Sequence, residues 1–153
     1  MGIEWNESLS TGIAWQDKQH QELFRRINSL LDAITDGLGH EEVLRLFDFL
    51  DEYFVVHFEV EEQAMHRYDY PDVLAHLEVH TGFIDRIGQL NEEAHRHGVT
   101  SDLVKRVQEE VLDWLVNHIG SVDQRLAAFM KKADAEKRER AGEVGGGGGG
   151  DGA

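Results

Sequence analysis

Seven side chains able to bind a metal recur at helical spacings along this chain: His20, then His57 and Glu61, then His76 and His80, then His118 and Asp123. A pair of octahedral ions needs six donors each. Five imidazoles fill five positions, two bridging carboxylates fill four, and one bridging oxo or hydroxo group fills two. One position on one ion is then left open, which describes a small-ligand site rather than a closed structural one.

Each pair alone is a weak signal. His-x-x-x-His and His-x-x-x-Glu share a helix face because four residues make about one turn, and such pairs often only decorate a surface. Here they interrupt apolar stripes, where an unpaired imidazole or carboxylate costs several kcal/mol. Convergence on metal ions removes that cost. The competing arrangement, a buried hydrogen-bonded network of histidines and acids, explains the set less well. His118 and Asp123 are five residues apart, so Asp123 must reach across as a bridge or sit at a local bulge.

Imidazole and carboxylate donors suit iron, zinc or manganese and disfavour magnesium or calcium. Zinc is the second choice, since structural zinc closes at four ligands and seven groups are too many for one such ion. The ferritin-like di-iron pattern needs Glu-x-x-His on each of two helices. This chain offers only Glu92-x-x-His95, near a helix end. The implied pair of ions is therefore nitrogen-rich.

The elements that must position these groups read as four helices. The first is expected to start after Asp17 as N-cap, with His20, Leu23, Phe24, Ile27, Leu30, Leu31 and Ile34 as its stripe, ending near Gly37. The second spans about Glu41 to His66 and carries Val43, Leu46, Phe47, Leu50, Phe54, His57, Phe58, Glu61 and Met65 on one face. The third spans about Asp72 to His95, with Val73, His76, Leu77, His80, Phe83, Ile84, Ile87 and Leu90 in register. Thr100 and Ser101 can cap a fourth, whose buried side reads Val104, Val107, Val111, Trp114, Leu115, His118, Ile119, Val122, Leu126 and Phe129, continuing to about Ala141. Short connections favour an antiparallel up-down-up-down four-helix bundle, all-α. Depths from shared ends then agree. His20 to Gly37 is 17 residues and Glu41 to His57 is 16, while His80 to His97 and Ser101 to His118 are both 17. All seven groups fall at one level.

Residues 1–133 are expected to form this bundle with an N-terminal arm, in which Trp5 and Trp15 are packing anchors. Residues 134–153 would be a helical extension and a disordered glycine-rich tail. At 153 residues and 41% apolar content the chain fits one domain. A net charge of −15 argues against nucleic-acid binding. With no cysteine, disulfides and thiolate or iron–sulfur sites are excluded. No targeting peptide and no membrane-length apolar run is present, so a soluble cytoplasmic protein, monomeric, is expected.

The arrangement Asp17-x-Gln19-His20, His57-Phe58-x-x-Glu61-Glu62-x-x-Met65, His76-x-x-x-His80 and His118-Ile119-x-x-x-Asp123 resembles the hemerythrin family, in its bacterial single-domain form. The resemblance covers roughly residues 3–130. It implies two iron ions, Fe2+ or Fe3+, bridged by an oxo or hydroxo group, Glu61 and Asp123. His76, His80 and His118 would complete one iron, and His20 and His57 would leave the other five-coordinate. The implied function is reversible O2 binding for storage, delivery or sensing. The protein would not be an enzyme and would have no catalytic residues. An oxidase or oxygenase is the partner to seek downstream. The alternatives are a di-iron enzyme acting on peroxide or nitric oxide, or an iron store or sensor. Leu23, Phe24, Phe58, Trp114, Leu115 and Ile119 should wall the open position, with Tyr53 as the one polar candidate nearby. His40, His66, His95 and His97 are read as solvent-facing.

Overall fold

The computed structural model describes residues 4–146. A 3-10 turn at Glu7–Leu9 leads into α1 (Ala14–Thr35), α2 (His40–Arg67) and α3 (Val73–His97). A fourth rod over 101–146 is α4 (Ser101–Arg106), a π turn (Val107–Asp113), α5 (Trp114–His118), a second π turn (Ile119–Asp123) and α6 (Gln124–Gly146). No strand occurs among the described residues. No helix there is long and apolar enough to cross a membrane. The rods form the expected four-helix bundle.

The helix ends follow local chemistry. Gly37 takes a φ of 69°, and Leu38 N donates to Ala33 O at 3.0 Å, which closes α1 through a left-handed residue that glycine accepts without strain. The same closure ends α2, where Asp69 has a φ of 51° and Tyr70 N donates to Met65 O at 3.0 Å. Pro71 follows and cannot continue the helix. Thr100 caps α4 by accepting from Leu103 N at 3.1 Å.

The start of α1 corrects the sequence reading. The helix begins at Ala14, four residues before the expected start at Lys18, and Asp17 lies in its first turn. Its carboxylate accepts from Thr11 N at 2.7 Å, Thr11 Oγ1 at 2.9 Å and Ser10 Oγ at 2.7 Å. Asp17 thus fastens the arm to the helix instead of capping it. Gln124 Nε2 donates to Ser10 O at 3.0 Å and ties the same arm to α6. The fourth rod runs past the expected end near Ala141 to Gly146. Residues 147–150 of the glycine run lie outside the described residues.

The buried apolar side chains form two clusters. The larger joins residues of α1, α2, α3, α4 and α5 such as Leu23, Ile27, Phe47, Phe54, Ile87 and Leu115. The smaller, near the α2–α3 turn, joins Ala64, Met65, Tyr70, Leu126 and Met130, with Ile13 and Trp15 packed on it. In α2 the first cluster ends at Phe58 and the second begins at Ala64, so Glu61 falls between them. The fourth rod differs most from its expected stripe. Leu103, Leu112, Ala127 and Met130 are buried, while Val104, Trp114, Val122 and Phe129 are half-buried. Each π turn takes in an extra residue and rotates the inward face, which moves it from Val122 to Asp123.

Candidate metal centre

All seven predicted groups converge, each at most 4% exposed. His20 comes from α1, His57 and Glu61 from one face of α2, His76 and His80 from one face of α3, His118 from α5, and Asp123 from the second π turn. All five imidazoles approach the carboxylates through Nε2. Glu61 Oε1 lies 3.0 Å from His57 and 3.5 Å from His20, while its Oε2 lies 3.1 Å from His80 and 3.4 Å from His76. Asp123 Oδ2 is 3.0 Å from His20, and Oδ1 is 3.1 Å from His118 and 3.4 Å from His76. Each carboxylate therefore offers one oxygen to a two-histidine half and the other to a three-histidine half. The donor atoms within Glu61, His76, His80, His118 and Asp123 lie within 4.8 Å of one another, as do those within His20, His57, Glu61 and Asp123.

These short approaches are not hydrogen bonds. Nε2 of all five histidines, Glu61 Oε2 and both Asp123 oxygens are buried with no hydrogen-bond partner among the described residues. So many unmet lone pairs would be costly without a common cation. The donors are nitrogen and oxygen only, and two are shared, which fits a pair of iron-like ions.

Without a metal, the carboxylates and imidazoles hold protons in a definite pattern. Burial disfavours the His20 imidazolium, but the nearby Asp123 and Glu61 outweigh burial and raise it to about 9. His76 is raised to about 9 by the same balance. Burial lowers His80 despite Glu61. Burial pushes both carboxyls up, but the charge of His57 and contacts with His20 and His76 hold Glu61 well below the usual range. Asp123 is also raised by the charge of Glu61, yet His118, His20 and His76 keep it low. Protons on the imidazoles, His20 and His76 among them, thus offset the two carboxylate charges. Those protons must leave before the nitrogens can bind a cation.

Three polar groups lie behind the donors, none of them assigned a role from the sequence. His57 Nδ1 lies 2.7 Å from Gln19 Oε1, which can only accept, so Nδ1 donates there and Nε2 is the nitrogen turned toward the centre. His80 Nδ1 is 3.5 Å from Glu62 Oε1. Gln16, fully buried, donates from Nε2 to Glu61 Oε1 at 3.3 Å. Gln16 had a sequence signal, since it stands one turn before His20 on the same face.

Leu23, Phe24, Phe58, Leu115 and Ile119 are buried in the larger cluster, and Trp114 is half-buried against it. Phe58 stacks on His80 with centroids 3.8 Å apart, and Trp114 stacks on His118 at 4.4 Å. These rings buttress the three-histidine half, and Phe58 also reaches His57 at 5.7 Å. Tyr53 is half-buried, and its ring lies under the Arg26 guanidinium at 4.3 Å. It is engaged with Arg26 of α1, and the polar groups found against the donors are Gln16, Gln19 and Glu62 instead. His40, His66, His95 and His97 are exposed as expected, with His95 Nε2 3.0 Å from Asp48 Oδ1.

Bundle and site together define a helical protein built round a dinuclear cation centre of nitrogen and oxygen donors. Residues 11–130 match the hemerythrin HHE cation-binding domain. The chain belongs to the hemerythrin family, whose cofactor is a di-iron centre. It is 33% identical over 118 residues to a bacteriohemerythrin of Methylococcus capsulatus, covering 76% of this chain and 86% of that one. It is 26% identical over 120 residues to a myohemerythrin of Theromyzon tessulatum, covering 78% and 87%. A wild-type hemerythrin crystal structure superposes with a TM-score of 0.72 at 30% identity, covering 82% of this chain and 95% of that one.

Proposed function

We propose that this protein binds dioxygen reversibly at a di-iron centre held by His20, His57, Glu61, His76, His80, His118 and Asp123, as a carrier or reporter of oxygen rather than an enzyme. The reading rests on one observation: Glu61 and Asp123 are shared between a three-histidine and a two-histidine group. The two-histidine set would give its ion fewer protein donors than the three-histidine set gives the other. Iron held there would supply the electrons for reversible dioxygen binding.

The chain's own residues favour reversibility. Leu23, Phe24, Phe58, Trp114, Leu115 and Ile119 supply apolar groups around the centre and exclude water, which disfavours proton delivery. Tyr53 is held by Arg26. Gln16 and Gln19 are occupied by Glu61 and His57. The reading has residues 1–133 as the working unit, a monomer in the cytoplasm, with an oxidase or oxygenase receiving the oxygen.

The test is anaerobic reduction followed by oxygen titration. A visible band that saturates at one O2 per two irons and disappears on deoxygenation is the expected result. Irreversible conversion to ferric protein with release of peroxide would move the protein to the enzymes. Replacing Leu115 with serine should hasten oxidation several-fold, and an unchanged rate would remove Leu115 from the wall.

A further inference from the structure

Gln16 has no part in the ligand set, yet it is fully buried and in contact with it. Its Nε2 donates to Glu61 Oε1, the oxygen that faces His57 and His20, while Glu61 Oε2 faces His80 and His76. An ionised carboxylate oxygen can only accept, so the amide must present its NH2 group there. The other end of the amide, Oε1, is buried with no hydrogen-bond partner among the described residues. Burying an amide with half its capacity unmet is unfavourable, so packing alone does not account for a glutamine where leucine or methionine would fill the space.

The position of this amide is also firmly set. Gln16 lies in the first turn of α1, which Asp17 binds to Thr11 and Ser10 and which Gln124 ties to the fourth rod through Ser10 O. We infer that Gln16 is a positioning residue for the iron on the two-histidine side: its N–H fixes Glu61 in the bridging orientation and draws electron density from Oε1. This rests on the di-iron reading above. A weaker oxygen donor stabilises the ferric ion less, so Gln16 biases that iron toward the ferrous state in which oxygen binds. Glu61 Oε2 receives no such donor. The two ends of one carboxylate are thereby made unequal.

The experiment compares wild type with Gln16→Met, which keeps the volume and loses the donor, and Gln16→Glu, which keeps the shape and adds charge. Iron content of the wild type is read first, because a chain that does not hold two bridged irons overturns the functional reading and not this one alone. In Gln16→Met, a spectroelectrochemical titration should show the ferric-to-ferrous ratio at fixed potential rising roughly tenfold, about 59 mV for a one-electron step. Gln16→Glu should move it further the same way. Cobalt(II) titration of the metal-depleted proteins supplies a second readout that does not depend on iron loading. One of the two cobalt ions should bind about 10- to 100-fold more weakly in Gln16→Met, and the other should be unchanged. Equal weakening of both ions, the mark of a purely structural role, overturns the assignment, as does an unchanged potential with unchanged cobalt affinities.

Discussion

Glu61 stands four residues after His57 in an unbroken α-helix, whereas Asp123 stands five after His118 and reaches the same level through the π turn Ile119–Asp123. Both are fully buried, and both present one oxygen to each half of the centre. In α2 the helical repeat alone brings His57 and Glu61 onto one face. In the fourth rod it does not, and the backbone departs from α geometry to do it. Helical regularity therefore yields to the site where the two conflict, and everything after Asp123 packs in the phase that the π turn sets.

Removing one residue from that turn should have the largest effect. Deleting Gly120 would restore a regular helix and rotate Leu126, Ala127 and Met130, all buried, by about 100° out of their places. At about 2 to 5 kcal/mol per large core side chain displaced, the variant is expected to unfold at ambient temperature, as circular dichroism would show. A folded variant that binds metal normally would mean the extra residue is unnecessary.

Replacing the bridges compares the two settings directly. Glu61→Ala should abolish the bridged pair and weaken the metal-free protein by about 3 to 5 kcal/mol in urea, because buried imidazolium charge loses its partner. Asp123→Ala should do the same if the bridges are equivalent. Two bridged irons persisting in Glu61→Ala would refute the assignment of Glu61.

Protonation sharpens the comparison by a smaller amount. His20 and His76 are raised from 6.5 to about 9, so their contribution to the metal-free protein is complete below pH 6.5 and lost as pH rises through 9. Glu61 and Asp123 are lowered, so theirs is present above their ordinary values of 4.5 and 3.8 and lost at lower pH. The metal-free protein should be most stable between about pH 5 and 6.5, losing on the order of 1 to 3 kcal/mol per imidazole by pH 9. Metal affinity should run the other way and rise between pH 6.5 and 9, since those protons must leave. Urea midpoints and cobalt titrations at pH 6 and 9 check both signs.

The smallest effect is expected from Gln19→Leu, which frees the His57 tautomer and should weaken one ion of the pair about tenfold in a cobalt titration. Equal weakening at both ions would mean Gln19 only packs.

The convergence of the seven groups was legible because each stands within an apolar stripe, and four residues on a helix are a reliable measure of one turn. The five-residue step from His118 to Asp123 announced its own irregularity. The first π turn, Val107–Asp113, left no such mark, because no pair of chemically distinctive residues flanks it, and the burial of Leu112 beside it went unread. Asp17 fits a helix cap by residue type, but its carboxylate is taken by Ser10 and Thr11, a competition that only the folded arm reveals. The contacts of Gln16 and Gln19 were not legible because their partners, Glu61 and His57, are 45 and 38 residues distant along the chain.

The division of the core into two clusters has a consequence for dynamics. The smaller cluster has five buried members at the end holding the α2–α3 turn, and the level of polar groups separates it from the larger one. With fewer apolar contacts, that end is where local unfolding is least costly, and its amides should exchange with solvent ahead of those near Leu50 or Ile87. Ions bound at the intervening level would fasten all four rods together and slow exchange at both ends. Exchange at the lighter end, measured with and without bound metal, would show how far the ligand level holds the two clusters together.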